Sequence, residues 1–87
     1  MNNIEFYGFV QGGWSLTEVN TTANGQTIYQ GKCGDSTGSK SAAVWCIKRI
    51  VITNGDGVQT IEEKFADGNM QYDNIWNNRA SLTYKYL

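Results

Sequence analysis

A mainly β, antiparallel domain is what this 87-residue sequence predicts, and three observations lead there. Glycine is frequent (10 residues) and proline is absent, so Gly, Asn and Asp must make the chain reversals. The apolar segments are short and rich in Val, Ile, Thr and Tyr, which suit a pleated, half-buried surface. Long apolar stripes at helical spacing are missing. The expected architecture is a small antiparallel β-sandwich or partly open barrel with one short helix near the C-terminus. At this length residues 1–87 form a single β-rich domain.

The elements follow in order. Ile4 to Val10 is aromatic and β-branched and reads as a strand, closed by Gly12-Gly13. Glu18–Ala23 and Gln26–Gly31 flank Asn24-Gly25, a pair that accepts positive φ at both positions and so predicts a type I′ hairpin. Lys32 to Ser41 is dense in Gly, Ser and Asp and reads as an exposed loop. Val44 to Thr53 is the strongest strand, with Trp45, Ile47 and Val51 on one face and Val44, Cys46, Ile50 and Ile52 on the other. Apolar residues on both faces mark a central, covered strand, or one that also meets a partner. Asn54-Gly-Asp-Gly57 turns the chain into Val58–Ala66, and Asp67-Gly68 turns it again into Asn69–Tyr72, completing a meander. Tyr72, Ile75, Trp76 and Arg79 then fall on one helical face, with Asp73 as the expected N-cap of about two turns. A last strand places Leu82, Tyr84 and Tyr86 on one side.

Composition narrows the chemistry. Hydrophobic residues make up 40% and charged residues 17%, which opposes disorder. The formal net charge of -1 gives no bulk attraction to nucleic acid or anionic membrane. Histidine is absent, which removes imidazole bases, His-dependent triads and most zinc and copper sites. No basic n-region precedes an apolar core, and no apolar stretch is long enough to span a bilayer, so a soluble, internally made chain is the default expectation.

The remaining motifs each have a plainer explanation. Asn54, Asp56, Gly57 and Glu63 echo a calcium loop, but Ile52 occupies the position of its first carboxylate, so these residues read as a hairpin turn. Glu62 and Glu63 are strand neighbours and point to opposite faces, so they cannot flank one substrate bond. Gly31, Gly34 and Gly38 lack phosphate-loop spacing, and Lys40 follows Ser39 instead of glycine. The basic residues are scattered, and no groove pairs them with aromatic platforms. An enzyme is not expected, nor a metal or other cofactor.

Among the aromatics, Trp45 and Trp76 lie in strongly patterned segments and read as core. Trp14 follows two glycines in an apparent loop, either as an interface residue or as satellite core packing, with Tyr7 and Tyr29 as further contact candidates. Exposed Trp14 and Tyr29 amid Asn and Thr would also suit a small carbohydrate-binding module, the alternative function. Arg79 either stacks on Trp76 and satisfies carbonyls at the helix end, or reaches a neighbouring subunit. The two cysteines, Cys33 and Cys46, read as reduced thiols or as a disulfide, within the chain or between copies.

The runs Ile28-Tyr-Gln-Gly-Lys32, Ser41-Ala-Ala-Val-Trp-Cys-Ile-Lys-Arg-Ile50, Ala66-Asp-Gly-Asn69 and Tyr72-Asp-Asn-Ile-Trp-Asn-Asn-Arg-Ala-Ser-Leu-Thr-Tyr84 resemble small virion proteins of tailed bacteriophages. Those proteins share a Trp-x-Ile-(Lys/Arg) strand, an Ala-Asp-Gly turn and a closing Trp-x-x-Arg-Ala-x-Leu-x-Tyr segment. The resemblance implies a non-enzymatic structural part of a virion, in the tail, baseplate, neck or capsid surface, made in the host cytoplasm. Its partners would be other virion proteins and copies of itself, without nucleic acid or membrane. It also implies that Trp45, Asp67, Gly68, Trp76, Arg79 and Tyr84 are scaffold residues, while Cys33 and Cys46 depart from the pattern.

Overall fold

The computed structural model describes residues 13–87, so the strand expected over Ile4–Val10, with Tyr7 in it, lies outside the described residues. The elements are β1 (Leu16–Thr22), β2 (Gly25–Cys33), β3 (Ala43–Gly55), β4 (Val58–Ala66), β5 (Asn74–Ile75), the 3-10 helix η1 (Trp76–Ser81) and β6 (Tyr84–Lys85). They build one six-stranded sheet in the order β1-β2-β3-β4-β6, with β5 on the first residues of β3. Every pairing is antiparallel. The mainly β expectation holds, and the described sheet is open.

β3 is central, as its doubly apolar pattern requires. It pairs β2 along one side and β4 with β5 along the other. Trp45, Ile47, Ala66, Trp76 and Tyr84 form the core on one face, where η1 and β6 supply the cover. On the other face lie Ile28, Ile50 and Ile52, and beside them Trp14, Cys46 and Phe65. Val44, expected opposite Trp45, packs against the Trp45 cluster, where the β3–β5 ladder is irregular.

The turns show how far local chemistry reaches. Asp56 (φ 51°) and Gly57 (φ 78°) are both left-handed between the paired residues Gly55 and Val58, a two-residue I′ turn. At the β1–β2 hairpin the expected turn moves by one residue. Thr22 pairs with Gly25, so Ala23-Asn24 makes the reversal, and neither has positive φ. Gly25 is instead the first residue of β2, where an added Cβ would fall 1.8 Å from the Ile52 carbonyl oxygen. Its glycine serves the close approach of β3. The move changes the pairing by two residues, so every side chain keeps its face.

Three expectations around the C-terminal segment are corrected. Asp67 (φ 60°) and Gly68 (φ 70°) do turn the chain, with the Gly68 N–H donating to the Phe65 carbonyl at 2.9 Å, but Asn69–Tyr72 is not a strand. The end of β4 pairs with β6, which sets buried Tyr84 beside Ala66, whereas Met70 and Tyr72 stay exposed. Burying the larger apolar surface decides the partner. The helix is a six-residue 3-10 segment, and Ile75, without a side-chain cap, stands at its N-cap. Asp73 accepts from the Asn74 side-chain amide at 3.2 Å and caps nothing, because the two-residue β5 intervenes.

Candidate functional site

The sequence-selected side chains are gathered mainly on the Trp45 face, where they hold one another. The rings of Trp45 and Trp76 lie 5.7 Å apart, and the Trp45 indole N–H donates to the Ser39 carbonyl at 2.8 Å, fixing the loop after β2. Tyr29 is half-buried against Tyr84, 6.0 Å between ring centroids. The Tyr84 hydroxyl donates to the Arg79 carbonyl at 2.8 Å, and burial pushes its phenol well above the usual range.

Arg79 performs both in-chain roles expected of it. Its guanidinium lies 4.9 Å from the Trp76 ring, and Nη1 donates to the Trp76 carbonyl at 3.2 Å. It also makes a contact the sequence did not reveal: Nε donates to Glu18 Oε1 at 2.9 Å, and Nη2 donates to Glu18 Oε2. This fork ties η1 to β1, 61 residues away in sequence. The Glu18–Tyr29 and Tyr29–Arg49 pairings would place Glu18 on this face, but only once the register is known.

The hydrogen bonds from Arg79 hold the Glu18 carboxyl below its ordinary value of 4.5. A depressed folded-state value contributes stability above the unfolded value, and this contribution is lost as pH falls through the folded one. The stability gap between the parent and Glu18→Gln is therefore expected to be full near neutral pH and to close on acidification below about 4.5. Urea titrations across that range check it, and a gap independent of pH would refute the linkage.

Trp14 resolves to satellite core. It is 7% exposed and packs with Cys46 and Phe65, while the Lys32 and Lys48 ammoniums sit 4.9 and 4.4 Å from its ring centroid. Lys48 is also bound to Glu63 at 3.0 Å, so Glu63 is committed to an ion pair. Glu62 lies on the opposite face and accepts from the Tyr86 hydroxyl, as strand alternation requires. Among the described residues no three Cys, Asp or Glu side chains come together as a metal site.

Of the two readings of the cysteines, the register fits reduced thiols and not a disulfide within the chain. Cys33 pairs with Trp45 and Cys46 with Lys32, so the two cysteines sit diagonally on opposite faces of the sheet, and both are free. Cys33 is half-buried, its thiol donating to Asp35 at 3.3 Å, whereas Cys46 is 1% exposed and burial pushes its thiol up. Native alkylation is expected to modify Cys33 alone, with Cys46 reacting after unfolding. Mass spectrometry of the native and denatured reactions checks this, and equal native labelling would contradict the burial.

Among the described residues two sheet edges are open, the outer side of β1 and most of the outer side of β4, and the β4 edge carries the exposed apolar side chains. β6 pairs with β4 at Phe65 and Ala66, and among the described residues Val58 to Lys64 have no strand on that side. Val58 (64% exposed) and Ile61 (49%) are uncovered there, and Tyr86 and Leu87 are exposed beyond β6. No family model, curated protein or solved structure matches this chain.

Proposed function

We propose that the chain is a non-enzymatic structural subunit of a tailed-phage virion, joining other virion proteins and copies of itself. The observation that carries the reading is the open β4 edge, where Val58 to Lys64 have no described strand on the outer side and Val58 and Ile61 are exposed. Such an edge accepts a strand from another chain through its backbone N–H and C=O groups. In a particle many weak contacts of this kind act together. The resemblance of the Trp45 strand and the closing Trp76–Tyr84 segment to small virion proteins supports the same reading. The carbohydrate-binding alternative loses its platform, because the Trp14 ring lies beneath two lysines and Tyr29 against Tyr84.

Purified particles of the phage that encodes the chain are expected to contain it at fixed stoichiometry by mass spectrometry. Its absence from them overturns the proposal. Ile61→Lys, a change at an exposed edge position, is expected to leave the fold intact and to lower incorporation by at least about tenfold.

A further inference from the structure

Glycine after Asn or Asp leaves the backbone nitrogen unshielded, so that it can close a five-membered ring on the preceding side chain. The sequence holds four such dipeptides, Asn24-Gly25, Asn54-Gly55, Asp56-Gly57 and Asp67-Gly68. Closure needs a glycine N–H free of hydrogen bonds and a side chain free to swing onto it. Three of the four are held. The Asn24 carbonyl accepts from the Asn54 N–H at 2.7 Å, and Gly25 is buried and paired with Thr22 and Thr53. Asn54 Oδ1 accepts from the Gln59 amide at 3.0 Å, and Gly55 is paired with Val58. The Gly68 N–H donates to Phe65, and the Asp67 N–H donates to the Thr83 carbonyl at 2.8 Å.

Asp56-Gly57 has none of these restraints. Both residues are exposed at the tip of the β3–β4 hairpin. Among the described residues neither the Asp56 carboxyl nor the Gly57 N–H has a hydrogen-bond partner. Nothing lies within 4 Å of a Cβ built on Gly57. The two central residues of the turn stand outside the ladder, so moving them breaks no strand pair. Asp56 also sits at φ 51°, a region L-residues disfavour, so backbone preference does not hold it there.

We propose that Asp56 is a site of spontaneous isomerisation in the folded chain. The Gly57 nitrogen attacks Asp56 Cγ of the protonated carboxyl, a C–N bond forms, and the hydroxyl leaves with the amide proton as water. Water then adds to the succinimide at one of its two carbonyls. Cleavage of the Cγ–N bond restores aspartate, and cleavage of the other C–N bond gives isoaspartate. Water is the only co-reactant. The mass is unchanged, but the main chain between Gly55 and Val58 gains one methylene, which a two-residue turn does not accommodate. This site is independent of the virion proposal.

The test incubates the intact folded chain at mildly acidic pH and maps its peptides by electron-transfer fragmentation, which distinguishes isoaspartate from aspartate. Isoaspartate is expected at residue 56, with residues 24, 54 and 67 unchanged over the same period. In guanidinium the order should reverse, with Asn24 and Asn54 losing ammonia ahead of any change at Asp56. Gly57→Asn, which tolerates the positive φ while shielding the nitrogen, should slow the conversion by at least about tenfold. Three results overturn the proposal: no isoaspartate at residue 56 in the folded chain, the same order of sites folded and unfolded, or an unchanged rate in Gly57→Asn.

Discussion

Replacing Trp76 by alanine is expected to cost about 3–5 kcal/mol, the usual penalty for emptying a large aromatic site. Trp76 is 4% exposed, its ring meets Trp45, and it lies so near β2 that a Cβ on Gly31 would come within 2.9 Å of it. It also carries the Arg79 guanidinium on its face. Removing it therefore leaves a cavity between β2, β3 and η1 and frees the arginine that joins η1 to β1. A domain of this size holds roughly 4–13 kcal/mol in total, so the variant should sit near the unfolding threshold, with a melting temperature lower by more than about 12 °C. Far-ultraviolet dichroism in urea measures the change without relying on tryptophan emission. Trp76→Phe should recover part of the loss. A cost for the alanine variant under about 1 kcal/mol would show that η1 is not the cover of this core.

What was legible in the sequence was whatever depends on neighbours in the chain. Val58–Ala66 forms a strand with the expected bounds, and Val44–Thr53 lies inside the longer β3, because alternation and β-branching act residue by residue. The Asp56-Gly57 and Asp67-Gly68 turns form because few other residues accept left-handed backbone. Distant competition decided the remainder. Asn69–Tyr72 had a turn before it and an adequate pattern, yet β6 takes the edge of β4 because Tyr84 buries more there. The spacing of Ile75, Trp76 and Arg79 suited an α-helix, but pairing of Asn74 and Ile75 with β3 leaves room for a six-residue 3-10 segment. In the site, the stack of Arg79 on Trp76 was readable from a three-residue separation. Its fork with Glu18 was not, since only the sheet register brings those two together. The cysteines teach the same lesson: composition left a disulfide open, and a one-residue offset in the β2–β3 register closes it within the chain.

Gly25→Ala should be the most damaging single-methyl change in the described chain. The added Cβ would lie 1.8 Å from the Ile52 carbonyl oxygen, 2.8 Å from its carbon and 3.2 Å from the Thr53 Cα. All three atoms are backbone, so no side-chain rotation relieves the overlap, and β2 must draw away from β3 at the end where Gly25 pairs with Thr53. Overpacking by one methyl commonly costs about 1–3 kcal/mol, and a collision with fixed backbone belongs at or above the top of that range. The loss should appear as a lower urea midpoint and as faster amide exchange at Gln26 and Thr53, the first residues to feel the opened ladder. Gly55→Ala is the matched control in the same sheet. Nothing lies within 4 Å of its added Cβ and its φ is not positive, so alanine there restricts the unfolded chain without a clash. That change should be neutral or stabilising by up to about 1 kcal/mol. Both substitutions add one methyl to a strand glycine, so their opposite signs isolate the approach of the Ile52 carbonyl as the cause. Equal effects from the two would instead mean that strand propensity alone governs these positions, and that β2 and β3 are not held so closely at Gly25.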